Sequence, residues 1–137
     1  MLFNISAVLF RVKDNRITFI SMHNEKFRDS LGVLYEYLKD NDSYRFVFIT
    51  REDLSPKKPF SVISFFLNKS RLLATSKYVF LNDNFMPMGK LHFRKDTVIT
   101  QLWHGEGAFK KFGLHIPQND DLRKREIAGN EKLTYVV

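Results

Sequence analysis

The sequence predicts an α/β fold, in which a parallel β-sheet is flanked by helices. Short segments rich in β-branched and aromatic residues alternate along the chain with longer segments whose apolar residues recur at helical spacing. This alternation is typical of strands joined by crossover helices, an arrangement that makes neighbouring strands parallel. Residues 44–50 (YRFVFIT) are almost continuously apolar, as expected for a strand covered on both faces.

Four complete strands and the start of a fifth are predicted from these apolar runs. Residues 16–21 (RITFIS) and 77–82 (KYVFLN) combine β-branched and aromatic side chains, which favour strands. Asp14 and Asn15 precede residues 16–21, and residues 41–43 (NDS) precede residues 44–50; both polar segments indicate turns. The remaining strands are predicted at residues 44–50, 97–102 and 133–137.

Helices are predicted where apolar residues lie three or four positions apart. They cover about residues 26–39, 60–75, 108–112 and 122–128. Pro56 and Pro59 interrupt the chain just before the second of these helices. Its buried side is predicted to contain Ile63, Phe66, Leu67, Leu72 and Leu73. Residues 83–96 are predicted as a loop, whereas the periodicity of the apolar residues 2–10 fits both a strand and a short helix, so both remain open.

The composition is that of a folded domain with anionic partners. A chain of 137 residues with 44% hydrophobic content and 14 Phe can bury a core as one domain, residues 1–137. The formal net charge of +7 and the sequence pI of about 9.7 favour nucleic acid, acidic lipid headgroups or phosphate-rich substrates as partners. The absence of cysteine excludes disulfides, thiolate nucleophiles and cysteine-based zinc sites.

The sequence contains no apparent membrane-spanning segment or secretory signal. No apolar run approaches the roughly 18–20 residues that a transmembrane helix needs. The opening MLFNISAVLFRVK carries its basic residues after the apolar stretch, which is the reverse of a signal peptide. We therefore expect a cytoplasmic protein, with contact to a membrane surface left open. Because the chain stops within an apparent strand, we also expect it to be one half of something larger.

Residues 101–113 (QLWHGEGAFKKFG) are the strongest candidate for a chemical site. The segment follows a predicted strand, and sites in parallel sheets lie beyond the carboxyl ends of strands. His104 offers a proton acceptor, while Gly105 and Gly107 lack a Cβ and let the backbone approach a ligand. Lys110 and Lys111 add positive charge. Together these groups point to chemistry on a phosphate.

Each of these residues also has an ordinary structural interpretation. His104 could be a histidine capped by a backbone carbonyl at a strand end. Lys110 and Lys111 could lie on a solvated helix face, and at most one of them is expected to reach a substrate, because adjacent helical residues point about 100° apart.

The other histidines give weaker signals. His23 also follows a predicted strand, and lining the same cleft or lying in a surface turn are equally compatible with its position. His92 and His115 are interpreted as surface residues. Four histidines without short spacing do not indicate a metal site, and no cofactor-binding motif appears, so neither a metal nor a cofactor is predicted.

From these residues, the chain resembles the amino-terminal half of the CDP-glycerol glycerophosphotransferases, bacterial enzymes that build teichoic acid and related poly(polyol phosphate) chains. The hallmark of that family is a strand followed by Trp-His-Gly-Thr-Pro-x-Lys-Lys-x-Gly. Six residues here correspond to that pattern: Trp103, His104, Gly105, Lys110, Lys111 and Gly113. Ala108 and Phe109 precede the lysines, where the hallmark has one residue. Residues 19–38 and 72–83 are also similar to family segments. Glu106 and Gly107 replace the usual Thr-Pro pair, so the acceptor side is expected to differ from that of typical members.

The resemblance implies a GT-B architecture with two Rossmann-like domains facing a cleft. The amino-terminal domain would handle the acceptor near the membrane, and a missing carboxyl-terminal domain would bind the CDP-glycerol, CDP-ribitol or similar CDP-alcohol donor. It implies that His104 is the general base that lets an acceptor hydroxyl attack the donor's β-phosphorus, releasing CMP. The implied partners are the donor, a lipid-linked polyol phosphate or glycan acceptor, and the anionic inner face of the bacterial membrane.

Two other functions remain open. A truncated, non-catalytic relative could bind anionic polymer or membrane lipid through its basic surface. Nucleic-acid binding is disfavoured, because net charge is its only support and the aromatic residues fall in predicted core strands rather than on an exposed stacking face.

Overall fold

The fold is built on a five-stranded sheet in which every described strand pairing is parallel. A computed structural model describes residues 2–22, 29–102 and 117–137. The strand order is β2-β1-β3-β4-β5. The strands are β1 (Lys13–Ser21), β2 (Arg45–Thr50), β3 (Ser76–Leu81), β4 (Val98–Gln101) and β5 (Tyr135–Val136). This sheet, flanked by helices, confirms the predicted α/β fold.

Helices connect the strands as the alternation of the sequence predicts. They are α1 (Leu2–Leu9), α2 (Ser30–Leu38), α3 (Pro59–Ser64), a π-helix (Phe65–Lys69), α4 (Ser70–Ala74) and α5 (Asp120–Asn130). Short 3₁₀ turns cover Arg51–Leu54 and Met88–Lys90. The opening apolar segment, for which the sequence left two possibilities, is helical. The helix predicted at 108–112 lies outside the described residues.

The turn predicted at Asp14 and Asn15 is wrong, because both residues belong to β1. Lys13 pairs with Ser76 and Ile17 pairs with Tyr78, so four positions of β1 oppose two of β3. This irregularity lets the strand carry polar residues at its start without breaking the ladder. The Lys13 amide still donates to the Thr75 carbonyl at 2.9 Å. Asp14 and Asn15 are therefore accommodated by an irregularity within the strand and not by a turn.

The helix predicted over residues 60–75 is confirmed as a helical run, but its predicted buried side is confirmed at Leu73 and wrong at three other positions. Ile63, Phe66 and Leu67 are exposed, whereas Phe65 and Leu73 are buried. The π-helix explains the difference: the Ser70 amide donates to the Phe65 carbonyl, five residues back. Such a turn holds an extra residue and shifts the helical phase. A uniform 3.6-residue period therefore assigns the wrong face before the shift.

One face of the sheet is covered by α2 over an aromatic cluster. The Phe19 ring lies 5.7 Å from that of Phe48 and 5.8 Å from that of Phe80, measured between centroids. Tyr35 of α2 approaches Phe48 edge-on at 5.1 Å, a favoured geometry for aromatic pairs. This cluster holds α2 against the centre of the sheet.

The opposite face carries the larger apolar core. Ile20, next to Phe19 in β1, points to this side, as the alternation of a strand requires. The buried residues of this core from strands, helices and the 83–96 loop include Phe3, Ala7, Ile49, Leu73, Val79, Leu81, Phe85, Met88, Leu91 and Ile99. Helices α1 and α4 pack against each other on this face. The sheet is thus enclosed between two layers.

Helix α5 packs on the 3₁₀ turn of Met88–Lys90 through a close approach at Gly89. Its first turn is capped by Asn119, whose side chain accepts from the Leu122 amide at 2.8 Å. A Cβ placed on Gly89 would lie 2.9 Å from the Ala128 Cβ and 3.2 Å from the Ala128 carbonyl carbon. The absence of a side chain at Gly89 therefore allows α5 to dock.

Gly89→Ala is expected to lower the free energy of unfolding by about 1–3 kcal/mol, because the new methyl overlaps Ala128 and the helix must shift. Gly129→Ala serves as the matched control. Its Cβ would meet the Met88 Cβ at 3.7 Å, an ordinary contact, and alanine favours a helix, so stability should hold or rise by up to about 1 kcal/mol. Urea unfolding of both variants measures this, and equal effects would contradict the close-packing argument.

Candidate active site

Every residue of the predicted site lies outside the described residues. His23 falls in the segment 23–28, and His104, Gly105, Gly107, Lys110 and Lys111 fall in the segment 103–116. Their roles therefore stay predictions. The structure does describe the strands and side chains on either side of these two segments, here called the frame.

The two segments begin at the same edge of the sheet. The chain enters the segment 23–28 one residue after β1 and the segment 103–116 one residue after β4. Because β1, β3 and β4 are parallel, their carboxyl ends share one edge, with β3 in the middle. Two strand spacings of about 4.8 Å place the ends of β1 and β4 roughly 10 Å apart. The strand that precedes the Trp-His-Gly sequence is thus confirmed.

This edge also contains the point where the strand order reverses. From β1 the chain moves to β2 on one side, and it then crosses to β3 on the other side. In open α/β sheets, ligands bind in the crevice beyond the carboxyl ends at such a point. Met22, Asn82 and Leu102 follow the three strands there. The frame is therefore positioned as a binding crevice.

Asp29 and Asn82 join two sides of this crevice. Asp29 is the N-cap of α2, and its side chain accepts from the Leu31 amide at 3.1 Å. Its other carboxylate oxygen, Oδ2, accepts from Nδ2 of Asn82. Asn82 follows β3 directly and is 1% exposed. A buried amide thus connects the start of α2 to the end of β3.

Leu102 fixes the start of the second segment. Its amide donates to the Leu81 carbonyl at 2.7 Å, so the pairing of β3 with β4 continues one residue past β4. Leu102 also packs against the aromatic cluster beneath α2. Ser21, the last residue of β1, is fully buried. The entry points of both segments are therefore set by the sheet.

Asp29 and Asn82 were not predicted from the sequence as residues of this edge. Two local signals were present: an aspartate just before the helix start Ser30-Leu31, and a polar residue immediately after a buried strand. What the sequence could not show is their pairing, since 53 positions separate them.

Lys69 lies near the end of β2, and its ammonium group is occupied by hydrogen bonds within the protein. Its Nζ donates to the Phe48 carbonyl at 2.8 Å and to both carboxylate oxygens of Asp53 at 2.8 and 2.7 Å. An ammonium group has three donors, and all three are used. Asp53 Oδ2 also accepts from the Thr50 amide at 2.9 Å. These bonds fasten the π-helix to β2.

Residues on α1, α3 and the π-helix form a second surface, here called the outer helical face. It lies on the side of the sheet opposite α2 and consists of Leu2, Ile5, Val8, Leu9, Phe60, Ile63, Phe66 and Leu67, all exposed. An apolar cavity of about 80 Å³ lies beneath it, lined in part by Leu2, Phe66 and Leu73. Helix α1 contacts the π-helix and α4, and α3 contacts the π-helix, so the π-helix links the exposed apolar residues of α1 to those of α3.

Cations border the outer helical face where α1 ends. Arg11 and Lys13 are exposed, and the Arg71 guanidinium lies 5.3 Å from the centre of the Phe10 ring. Burial, followed by the nearby charge of Arg71, lowers the pKa of Arg16. Positive charge is therefore concentrated beside an exposed apolar surface.

The described residues also bear on surface positions, on groups that could bind a metal and on membrane-spanning helices. His92 is exposed, as predicted, and residues 123–125 of α5 are also exposed, whereas His115 lies outside the described part. Within the ranges that the structure covers, no three His, Asp or Glu side chains are grouped so that they could hold a metal ion. No helix in those ranges is both long and apolar enough to cross a bilayer.

Comparison with known proteins identifies similar sequences along the whole chain. Residues 1–137 match the family model described as CDP-Glycerol:Poly(glycerophosphate) glycerophosphotransferase. The chain is 31% identical over 116 residues to the teichoic acid poly(ribitol-phosphate) polymerase of Bacillus spizizenii. This matched region covers 82% of this chain and 18% of the polymerase.

Two primases of the same organism are similar to the same extent. The teichoic acid ribitol-phosphate primase is 30% identical over 117 residues, covering 83% of this chain and 30% of the primase. The teichoic acid glycerol-phosphate primase is 32% identical over 122 residues, covering 80% and 31%. The chain thus spans between about a fifth and a third of the length of these relatives.

Lys69→Met is expected to lower the free energy of unfolding by about 1–3 kcal/mol, because it leaves the mostly buried Asp53 carboxylate without its cation. Lys58→Met is the control. The Lys58–Glu52 pair is shorter, at 2.6 Å, but its side chains are 52% and 46% exposed, so its loss should cost less than about 1 kcal/mol. Thermal and urea unfolding would contradict the assignment if Lys58→Met were the more damaging change.

Proposed function

The chain belongs to the CDP-glycerol:poly(glycerophosphate) glycerophosphotransferase family, and from this we propose that it is the acceptor-side domain of a CDP-alcohol phosphotransferase. The enzyme would transfer glycerol phosphate or ribitol phosphate from a CDP-alcohol to a membrane-linked, teichoic-acid-like or capsular polymer. The names of the three relatives, a polymerase and two primases of teichoic acid, support a polyol phosphate as the transferred group.

In this proposal, residues 1–137 are a single α/β domain and the amino-terminal half of a two-domain GT-B enzyme. The donor would bind mainly to the other half. The matched region is 18% to 31% of the length of the three relatives, which leaves room in them for a donor-binding domain. The parallel sheet with a strand-order reversal is the type of frame that such a domain requires.

His104 is the proposed general base. An alcohol is a poor nucleophile at neutral pH, and an imidazole titrating near pH 7 can accept its proton as the oxygen attacks phosphorus. One observation carries this assignment: the Trp-His-Gly sequence begins one residue after the end of β4, at the edge of the sheet where the strand order reverses. The family match covers this region together with the rest of the chain.

The neighbouring residues are proposed to bind the substrate. Gly105 and Gly107 would let backbone amides approach phosphoryl oxygens, and Lys110 or Lys111 would stabilise negative charge. His23, in the segment that leaves β1, would contact the substrate from the other side of β3. No metal or other cofactor is assigned to this chemistry.

His104→Ala in the full protein is expected to slow CMP release from CDP-glycerol by about 100- to 10,000-fold, the usual value of general-base assistance. The assay supplies a lipid-linked acceptor and is repeated with CDP-ribitol. His92→Ala is the control, since His92 is exposed and its backbone amide, which the substitution keeps, donates to the Asn4 side chain at 3.0 Å. Wild-type turnover by His104→Ala would remove the general-base role.

The outer helical face supports contact with the anionic inner surface of the bacterial membrane. An exposed apolar helix bordered by cations is the pattern of an interfacial helix, which buries its apolar side among headgroups. The same surface supports the alternative function, a non-catalytic relative that holds anionic polymer or lipid. Turnover separates the two proposals: only the enzyme should release CMP.

The double variant Val8→Asp/Leu9→Asp is expected to weaken sedimentation with phosphatidylglycerol vesicles by about tenfold or more, since each side chain should lose over 1 kcal/mol of apolar transfer. These residues are 77% and 69% exposed, so the fold should be kept. Val33→Asp, 72% exposed on α2 across the sheet, is the control. Unchanged binding of the double variant, or equal loss in the control, would exclude this face.

A further inference from the structure

Arg16 reaches from β1 to the end of α4. Its guanidinium donates to the side-chain oxygen of Thr75, which is the C-cap of α4 and is buried. The Thr75 hydroxyl itself donates to the Arg71 carbonyl at 2.9 Å, and the Thr75 carbonyl accepts from the Lys13 amide at 2.9 Å. These bonds hold the Arg16 side chain at the amino edge of the sheet, where β1 and β3 begin.

Arg71 brings a second guanidinium to the same place. Its Cζ atom lies 5.3 Å from the centre of the Phe10 ring, a cation–π contact that uses the face of the ring and no hydrogen-bond acceptor. Arg71 is exposed, whereas Arg16 is half-buried. Burial lowers the pKa of Arg16 most, and the charge of Arg71 lowers it further. Two like charges therefore lie close enough to destabilise each other.

No described carboxylate balances these two charges. Within residues 2–22, 29–102 and 117–137, neither Arg16 nor Arg71 forms an ion pair. The acid Asp14 is instead paired with Lys77, at 3.9 Å. Arg45 of β2 adds positive charge, because it is the register partner of Arg16. An anion bound from outside these residues would offset the charge of the arginines.

Stabilisation of helix ends does not account for the pair. Cations stabilise the last turn of a helix by approaching its carbonyl groups. At α1 this role belongs to Arg94, whose guanidinium donates to the Ala7 carbonyl at 2.9 Å. At α4 the Arg71 carbonyl accepts from the Thr75 hydroxyl. The guanidinium groups of Arg16 and Arg71 contact a hydroxyl and an aromatic ring, so they are available to a ligand.

The chemistry of the pair and its surroundings favours the phosphate of a lipid. A guanidinium is planar and donates parallel N–H bonds, a geometry that fits phosphate oxygens. Phe10, which contacts Arg71, is exposed, as are Val8 and Leu9 before it. A free phosphate or polyol phosphate has no apolar part to cover these side chains, whereas a headgroup phosphate is attached to acyl chains.

We propose that Arg16 and Arg71 together bind the phosphate of an anionic lipid headgroup, while the exposed end of α1 enters the acyl region beside it. The site lies at the amino edge of the sheet, opposite the edge of the candidate active site. It deepens the membrane contact of the proposed function and rests on that contact, but it does not depend on the transfer reaction.

The double variant Arg16→Lys/Arg71→Lys keeps the net charge and removes both planar groups. Its sedimentation with phosphatidylglycerol vesicles is expected to weaken about tenfold, because an ammonium group does not reproduce the paired N–H bonds of a guanidinium. Arg51→Lys/Arg125→Lys makes the same change at two exposed arginines elsewhere and should bind as tightly as the wild type. Wild-type binding by the first variant, or an equal loss in the second, would reduce the attraction to net charge and overturn the site.

Two further measurements keep the test decisive. If the double variant does not fold, Arg71→Lys alone leaves the bond between Arg16 and Thr75 in place and should still weaken binding. Millimolar glycerol phosphate, which lacks acyl chains, should leave the wild type on the vesicles. Displacement by glycerol phosphate would assign the arginines to a free phosphate and overturn the lipid headgroup.

The membrane contact and the headgroup site can fail separately. If Val8→Asp/Leu9→Asp loses vesicle binding and Arg16→Lys/Arg71→Lys does not, the contact stands and the headgroup site falls. CMP release by the full protein tests the transfer reaction independently of both.

Discussion

The parallel pairing of β3 with both β1 and β4 is the constraint on which the rest of the molecule depends. It brings three carboxyl ends to one edge and reverses the strand order there. Each face of the sheet must then be covered, by α2 over aromatic rings on one side and by α1 and α4 on the other. Because buried strands need partners on both sides, this central position leaves few alternatives for the surrounding elements.

Much of this fold was predictable because its signals are local. The apolar runs at 44–50 and 77–82 became β2 and β3 within a residue at each end, since β-branched and aromatic residues leave little alternative in a buried strand. Asp14 and Asn15 were assigned wrongly because a bulge tolerates polar residues that otherwise indicate a turn. Ile63, Phe66 and Leu67 were wrongly assigned to the buried side of residues 60–75, because a uniform helical period does not reveal a π turn.

The candidate site was predictable to a different degree. A strand precedes the Trp-His-Gly sequence, as expected, and it ends at the expected edge of the sheet. This was predictable because the strand order determines where the crevice lies. The contact of Asn82 with Asp29 was not predictable, because it depends on the packing of α2 against the sheet rather than on either local sequence. The histidines, glycines and lysines of the site stay predictions, since they belong to residues 23–28 and 103–116.

The π-helix has a consequence for how this surface could change. Helix α4 is locked to the core through Leu73, whereas α3 has no buried residue. Deleting one residue from Phe65–Lys69 would restore a regular α-helical period and rotate α3 by about 100° about its axis. Phe60 and Ile63, which are exposed, would both change the direction in which they point relative to the core. The length of the π-helix, changed by one residue, thus determines the direction in which the exposed apolar residues of α3 face, while the sheet beneath stays the same.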